Sequence, residues 1–462
     1  MSITRGLKSH PKNHIRKIAG RQRTFRHSTY VLTASLCLVA SPFANAQSPE
    51  SPAVQVEVVV LNIDRAVEIA LNNNPDVAGL RARADAMQSM PSQAGALPDP
   101  TLSFSAMNLP TDTFDLDQEP MTQMQVAVSQ SFPFPGKRKL REKAVEYEAQ
   151  AALSLLSDRR TMLAGQVRSA WWQLMSLDRA LEIVDQNQAL MRDFVEIAQT
   201  KYKVGSGLQQ DVLLAQLELS RLLDRELRLQ GMRRAAQADL NAMLDRPADW
   251  QISLPPTPPN RNLPELPPEA QLLQKAGADR AMIDVQRDLV AAARKKLDLA
   301  RKDRYPDFKL GVGYGMRDGF DAFRGTDRSD FLTVMLSVNV PIYSGSKQGK
   351  AVEQRTHEMT QQKYALNSAL RSVQASISRN LAGYHAARDQ VVLLDTAIIP
   401  QAQQTVASML AGYQVNQVDF LNLVNTQITL YNAQINYWES LSRAKQALAN
   451  VASAVGEEAL YE

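Results

Sequence analysis

Long stretches of the chain place an apolar residue at every third or fourth position. This spacing is typical of helices that pack against each other as coiled coils. No proline lies between Pro135 and Pro247 or between Pro341 and Pro400, so neither stretch contains a helix-breaking residue. One helix over residues 137–204 would be about 100 Å long at about 1.5 Å per residue. Its spaced apolar residues include Leu174, Leu177, Leu181, Val184, Met191, Val195, Ala198 and Tyr202.

Each long helix is predicted to reverse at a short turn and to return beside itself. The two turns are Gly205-Ser206-Gly207 and Asn416-Gln417, whose residue types tolerate a sharp reversal of the backbone. The returning segments keep the helical spacing. Their apolar positions are Val212, Ala215, Leu219, Leu222 and Leu229 in the first, and Leu421, Val424, Ile428, Tyr431, Ile435, Trp438 and Leu441 in the second.

Four shorter runs instead alternate apolar and polar residues, which is typical of β-strands. They cover residues 101–109, 121–132, 308–316 and 331–340. At about 9 to 11 residues, each has the length of a tilted strand that spans a membrane. In the last run we expect lipid to contact Leu332, Val334, Leu336, Val338 and Val340. The lumen-facing set would then be Phe331, Thr333, Met335, Ser337 and Asn339.

The same plan occurs twice in the chain. A shift of 208 positions places Asp76-Val77 on Asp284-Val285, Pro98-Asp99 on Pro306-Asp307, Pro133 on Pro341 and Asp211 on Asp419. We therefore predict two repeats, at residues 47–246 and 269–462, each with a helix, a β-hairpin and a long helical pair. A proline-rich linker at residues 247–268 joins them. The first helix of repeat one is predicted over residues 64–96, ending before Pro98.

The amino terminus is predicted to be a secretory signal peptide. Residues 1–46 contain eight basic residues, and all of them precede the apolar run at residues 30–40. The residues Ala44-Asn45-Ala46 suit cleavage before Gln47. Leu36 before Cys37 does not favour a lipid anchor. Without this segment the acidic residues outnumber the basic ones, so the high isoelectric point does not indicate a nucleic-acid partner.

The rest of the chain has no cysteine and only two histidines, His357 and His385. This composition excludes disulfide scaffolds, cysteine nucleophiles and clusters of several histidines. No set of residues suits catalysis, so we expect neither an enzyme nor a cofactor or metal site. Two hairpins cannot close a barrel alone, because their edges would leave backbone groups unpaired in lipid. Three copies would supply twelve strands and close a pore.

Several motifs together resemble the TolC-type outer membrane factors. They are the tip motifs Tyr202, Val204, Asp211 and Tyr413, Val415, Asp419, the strand exit at residues 341–345, the proline linker and the two-copy plan. The strand exit Phe132-Pro133-Phe134-Pro135-Gly136-Lys137-Arg138 is similar to that of the heavy-metal branch, the CzcC- and CusC-like members. Asn416 departs from the glycine usual in the second turn.

This resemblance implies a mixed α and β fold. A trimeric, twelve-stranded β-barrel in the outer membrane, four strands per chain, would continue into a long periplasmic α-helical barrel. The implied partners are two further copies, a periplasmic adaptor, an inner-membrane resistance-nodulation-division pump and outer-membrane lipid. The chain would be a passive exit duct for toxic solutes, with heavy-metal cations first and organic compounds second. The alternative is a secreted periplasmic coiled-coil adaptor or scaffold.

The resemblance also implies a pore constriction at the periplasmic tip. Asp419 matches the constricting aspartate, Asp211 is its counterpart in repeat one, and Asn422 lies one helical turn beyond Asp419. Threefold symmetry would make each carboxylate a ring that attracts cations. The remaining tip residues are Asn416, Gln417, Tyr413, Gly205 and Gly207. The alternative is that the aspartates only cap the returning helices.

Overall fold

The computed structural model describes residues 60–258, 260–415 and 417–461. The predicted signal peptide and Asn416 lie outside the described residues. The helices are α1 (Ile63–Asn73), α2 (Pro75–Gly95), α3 (Lys137–Lys203), α4 (Gln209–Met243), α5 (Glu269–Asp279), α6 (Ala281–Lys302), α7 (Lys350–Leu393), α8 (Ile399–Gln414) and α9 (Phe420–Val455). The strands are β1 (Thr101–Met107), β2 (Gln123–Phe132), β3 (Phe308–Met316), β4 (Phe320–Asp321), β5 (Thr326–Asp327) and β6 (Phe331–Val338).

The single helix predicted over residues 64–96 was wrong, because the structure has α1 and α2 instead. Pro75 disfavours helical geometry at the residue before it, and Asn74 breaks the helix there. The side chain of Asn74 then caps α2 by accepting from the backbone N–H groups of Asp76 at 3.1 Å and Val77 at 3.3 Å. Repeat two has the same break at Arg280, between α5 and α6, where Arg280 pairs with the buried Asp158 of α3 at 2.9 Å.

The long first helix is confirmed, since α3 runs for 67 residues without interruption. It packs against α2, α4, α6 and α9. Most of the predicted coiled-coil positions are buried, and the core around them includes the fully buried Trp171. Tyr202 and Leu421, at the turn ends of their helices, are about half exposed.

The long helix of repeat two continues past Pro400. Between α7 and α8 the residues Leu394–Ile398 form a π-helical turn, and Pro400 occupies the first turn of α8. Proline lacks the N–H that a regular helix would use there, and its ring crowds the carbonyl four residues earlier. The wider turn accommodates both effects, so the helix continues.

Within the described residues, four strands form an antiparallel sheet in the order β1-β2-β3-β6, while β4 and β5 form a small hairpin between β3 and β6. The register places Val128, Val312 and Val334 in one cross-strand row. That face of the sheet is apolar and exposed. The opposite face carries a glycine row in β3, and the side chain of Gln125 lies so close to Gly313 that a Cβ there would come within 2.6 Å of its amide nitrogen. The predicted segregation of side chains along the strands is therefore present.

Strands and helices are joined at a polar junction. Lys137, the first residue of α3, is 2% exposed, and its Nζ donates to the carbonyl oxygen of Tyr305 at 2.9 Å and to Asp307 Oδ1 at 2.8 Å. Partial burial works to raise the pKa of Asp307, but the hydrogen bonds from Lys137 and from the Phe134 N–H outweigh it and lower the pKa. Among residues 60–258, 260–415 and 417–461, no helix is long and apolar enough to cross a membrane.

Candidate functional site at the helical tip

The two helical turns lie together at one end of the helical pairs, and we call this region the tip, residues 201–211 and 413–422. Gly205 ends α3 in the left-handed conformation, with φ +73°. Its N–H donates to the carbonyl of Tyr202 at 3.0 Å, and the N–H of Ser206 donates to that of Lys201 at 2.9 Å. This pair of bonds is a Schellman motif, which favours glycine at the left-handed position. A Cβ on Gly207 would lie 2.8 Å from Lys201 Cβ. Glycine is therefore favoured at position 205 by the positive φ and at position 207 by the lack of space for a side chain.

The second turn uses the same closure. The N–H of Gln417 donates to the carbonyl of Gly412 at 2.8 Å, which is the long bond of a Schellman motif. In sequence, Asn416 stands where Gly205 stands in the first turn.

Lys201 joins the two turns, and the sequence reasoning missed it. Its Nζ donates to the carbonyl oxygen of Tyr413 at 2.7 Å and lies 4.1 Å from the centroid of the Tyr413 ring. The ammonium group therefore contacts the carboxyl end of α8 and an aromatic face at once. Both contacts are favourable, because that helix end is partly negative and the ring face attracts cations.

A buried cluster of three aromatic rings packs beneath the surface of the tip. The Phe420 ring lies 5.2 Å from that of Tyr413 and 6.1 Å from that of Phe194. Tyr413, Phe194 and Phe420 are all buried, so they fix α3, α8 and α9 relative to each other. Burial, followed by the charge of Asp211, raises the pKa of the Tyr413 hydroxyl. This hydroxyl has no hydrogen-bond partner among the described residues.

The structure brings the two predicted aspartates close together. Partial burial is the main cause that raises the pKa of Asp211 above its ordinary value, and the negative charge of Asp419 adds to it. The backbone N–H of Leu208 and the charge of Lys201 both favour the ionised carboxylate and oppose the shift. Asp211 and Asp419 come from different repeats but share one electrostatic environment.

The two aspartates differ in how they meet their helices. Asp419 is exposed and precedes α9 in an extended conformation, but its side chain makes no capping hydrogen bond. Its backbone carbonyl accepts from the N–H of Asn422 at 3.1 Å, and the Asn422 side chain is exposed. Asp211 instead reaches back to Leu208, the residue before α4, as the third residue of a capping box does. The capping interpretation therefore fits Asp211 and not Asp419.

The sequence indicated the tip residues but not the contacts between them. Phe194 and Lys201 fall seven residues apart on α3, a spacing that places them on one face and could have drawn attention to them. Nothing in the sequence indicates that this face meets Tyr413, because more than two hundred residues separate them. No group of three or more His, Cys, Asp or Glu side chains within the described parts of the chain is arranged to hold a metal ion.

Comparison with known proteins finds similar sequences and similar solved structures. The family model "Outer membrane efflux protein" matches the chain twice, at residues 66–246 and 272–457. The cobalt-zinc-cadmium resistance protein CzcC of Cupriavidus metallidurans is 22% identical over 411 residues, covering 86% of this chain and 90% of CzcC. The alkaline protease secretion protein AprF of Pseudomonas aeruginosa is 24% identical over 312 residues, covering 65% of this chain and 62% of AprF. The solved outer-membrane channel OprN has the same fold, with a TM-score of 0.72 at 15% identity, covering 86% of this chain and 90% of OprN.

Proposed function

The chain belongs to the outer membrane efflux protein family, and on that basis we propose that it forms a homotrimeric exit duct for heavy-metal cations. It is an outer-membrane efflux channel of tripartite systems, extends into the periplasm and is not an enzyme. This membership replaces the alternative of a secreted adaptor or scaffold. Our proposal also includes the cargo, the named partners, a gate at the tip and signal-peptide cleavage before Gln47.

The observation that carries the trimeric duct is the open sheet. Its order leaves β1 and β6 as edges within the described residues, and unpaired edges are costly in lipid. Leu332, Val334 and Leu336 are each more than 60% exposed in the single chain, as a lipid-facing surface would be. Joining β6 of one copy to β1 of the next would satisfy both edges and close a twelve-stranded barrel.

The tip would act as the gate of this duct. Asp419 is exposed and makes no capping bond, so its carboxylate is available to form a ring of three charges around a threefold axis. Asp211 lies near enough to add to the same field. Lys201 and the aromatic cluster would hold the two turns in place, and the duct would open when these contacts break.

We propose heavy-metal cations as the cargo of this duct. Its support is the match to CzcC, which spans more of both chains than the match to AprF does, together with the strand exit at residues 132–138 and the acidic tip. We assign the driving force to a resistance-nodulation-division pump joined through a periplasmic adaptor, because channels of this family work within tripartite systems.

Growth of a deletion strain tests the cargo directly. Without the gene, cells should become sensitive to one or more of copper, silver, zinc, cobalt and cadmium, while sensitivity to a panel of organic drugs should change little. Plasmid-borne protein should restore resistance. Drug sensitivity with unchanged metal resistance would contradict the metal cargo and leave the channel itself intact.

A further inference from the structure

A cavity lined by lysines lies between the start of α3 and the end of α6, next to the sheet. We call it the basic cavity: it has a volume of about 410 Å³, and its charged walls are Lys139 and Lys143 of α3 and Lys295 and Lys302 of α6. The side chains of Leu140 and Tyr147 complete it. Its lining contains four ammonium groups and no carboxylate, so the cavity is positively charged.

The charges of the basic cavity are only partly balanced by the described residues. Lys143 Nζ bonds Glu146 Oε2 at 2.6 Å, and Lys302 Nζ donates to the carbonyl oxygen of Pro135 at 3.1 Å. Lys139 and Lys295 have neither a hydrogen bond nor an ion pair with any of residues 60–258, 260–415 and 417–461. Of the nearby carboxylates, Glu148 pairs with Lys296, and Glu142 lies in the adjoining groove that Lys139 and Lys143 also line, where it faces two lysines with a single charge. The cavity therefore has the charge to take an anion.

The location indicates which anion. Lys139 and Lys143 also line the neighbouring groove, which contains Phe132. Phe132 is the last residue of β2 and pairs with Phe308, and Phe308 in turn pairs with Val338 on the exposed apolar face. The basic cavity thus begins where the apolar face ends, within the few residues that separate β2 from α3.

Aromatic side chains mark the same level of the molecule. Phe134 and Tyr305 stack with their ring centroids 4.7 Å apart, and Tyr305 remains 52% exposed. Exposed aromatic rings with a polar end are typical of the level of the lipid headgroups. Clustered lysines at this level attract acidic lipids.

We propose that the basic cavity binds the phosphate headgroup of an anionic glycerophospholipid in the periplasmic leaflet. The inference rests on the proposed function, because it requires the apolar face of the sheet to lie in the outer membrane. The acyl chains would then cover the apolar face near Phe132, and the phosphate would contact Lys139 and Lys295. A volume of about 410 Å³ lies within the usual range of small-molecule sites.

Lipid binding to the purified trimer tests this inference. Native mass spectrometry would count phosphatidylglycerol bound to the wild-type trimer and to Lys139→Gln/Lys295→Gln, with phosphatidylcholine as the neutral lipid. We expect the double variant to bind phosphatidylglycerol about tenfold more weakly or worse, since about 1 kcal/mol per lysine is a factor of about five. Lys139→Arg/Lys295→Arg should retain the binding.

The matched control removes two cations elsewhere. Lys363 and Arg379 lie on α7 and are exposed, and neither has a side-chain partner in the described parts of the chain. Lys363→Gln/Arg379→Gln should bind phosphatidylglycerol as the wild type does. Equal loss in both double variants, or no loss in Lys139→Gln/Lys295→Gln, would overturn the proposal. Full displacement of the lipid by millimolar inorganic phosphate would overturn the choice of lipid as the ligand.

Conductance separates this inference from the proposed function. The double variant should still form trimers and conduct ions in a planar bilayer, because neither lysine belongs to the tip or to the sheet. A wild-type protein that does not conduct would refute the duct itself. A wild type that conducts but shows no preference for phosphatidylglycerol would refute only the basic cavity as a lipid site.

Discussion

Lys201 Nζ donates a hydrogen bond of 2.7 Å to the carbonyl oxygen of Tyr413 and lies over the ring of the same residue. Two helical pairs that are distant in sequence are thereby joined at their turns. Because Tyr413 also contacts Phe420, the contact connects the surface of the tip to its buried aromatic cluster. In the gate that we propose, Lys201 helps to hold the two turns together.

Replacing Lys201 with methionine should loosen the tip. The change removes a charged hydrogen bond and a cation–π contact, together about 2 kcal/mol, while it keeps an unbranched apolar side chain. Planar-bilayer recordings should show larger or longer openings than for the wild type. Lys203→Met is the matched control, since Lys203 is exposed in the same helical turn. Identical recordings for both variants and the wild type would show that Lys201 does not hold the gate.

Replacing Asp419 with alanine should reduce selectivity for cations and block by multivalent cations, and the trimer should remain intact. The reason is that its carboxylate is exposed and makes no capping bond. Asp211→Ala should differ, because it removes the acidic side chain from the first turn of α4 and should cost the start of that helix about 0.3 to 1 kcal/mol. Reversal potentials and trimer melting measured for both variants check this. Unchanged selectivity with a destabilised trimer in Asp419→Ala would favour a capping role instead.

The face of β6 toward lipid can be tested with two neighbouring positions. Leu336 pairs with Leu310 on the apolar face, and Ser337 pairs with Lys309 on the opposite face. Leu336→Arg should cost about 2 to 4 kcal/mol near the middle of the membrane, whereas Ser337→Arg should be tolerated. The measured quantity is the yield of heat-dissociable trimer in the outer membrane. Equal yields for the two variants would contradict the assignment of faces.

Lys445 should make stability depend on pH. It is 2% exposed, and its Nζ donates to the carbonyl oxygen of Asn262 at 2.6 Å. Burial lowers its pKa from 10.5 to about 8. Below pH 8 the Lys445 side chain is protonated in both the folded and the unfolded states. The folded state then bears the full free-energy cost of burying the charge. Between about pH 8 and 10.5 the unfolded state holds more protons, so stability should rise with pH by about 3 kcal/mol in total.

Thermal unfolding of the helices, followed by circular dichroism from pH 7 to 11, measures this dependence. Other lysines and tyrosines titrate in the same range, so the relevant quantity is the difference between the wild type and Lys445→Met. We expect the wild type to gain stability relative to the variant across the window. Parallel curves would show that Lys445 is not buried as a charged group below pH 8.

Local patterns were sufficient to predict most of the fold. The period of three and four residues predicted α3 and the returning helices, and the period of two predicted the four strands of the sheet, because burial on one face imposes each period directly. The prediction of a single first helix was wrong because Pro75 disfavours helical geometry at Asn74. The continuation of the helix past Pro400 could not be predicted. A proline in the sequence indicates a helix break, whereas no residue type indicates the π-helical turn that accommodates it.

The candidate site was predicted less completely for a physical reason. Asp419 and Asp211 were found because they occupy matching positions in a repeated motif. Lys201 and Phe194 were not, because their roles depend on contacts across repeats, with Tyr413 and Phe420. Such contacts are set by how helices pack, and residue spacing within one helix does not encode them. The basic cavity has the same origin, since α3 and α6 each supply two of its lysines.

The central claim, that this chain forms a trimeric channel with an acidic tip, is tested most directly by single-channel recording of the purified protein in a planar bilayer under a salt gradient. We expect discrete conductance steps with a reversal potential that favours cations, from a detergent-stable trimer that dissociates on boiling. Protein that inserts but gives no steps, or steps that favour anions, would contradict it.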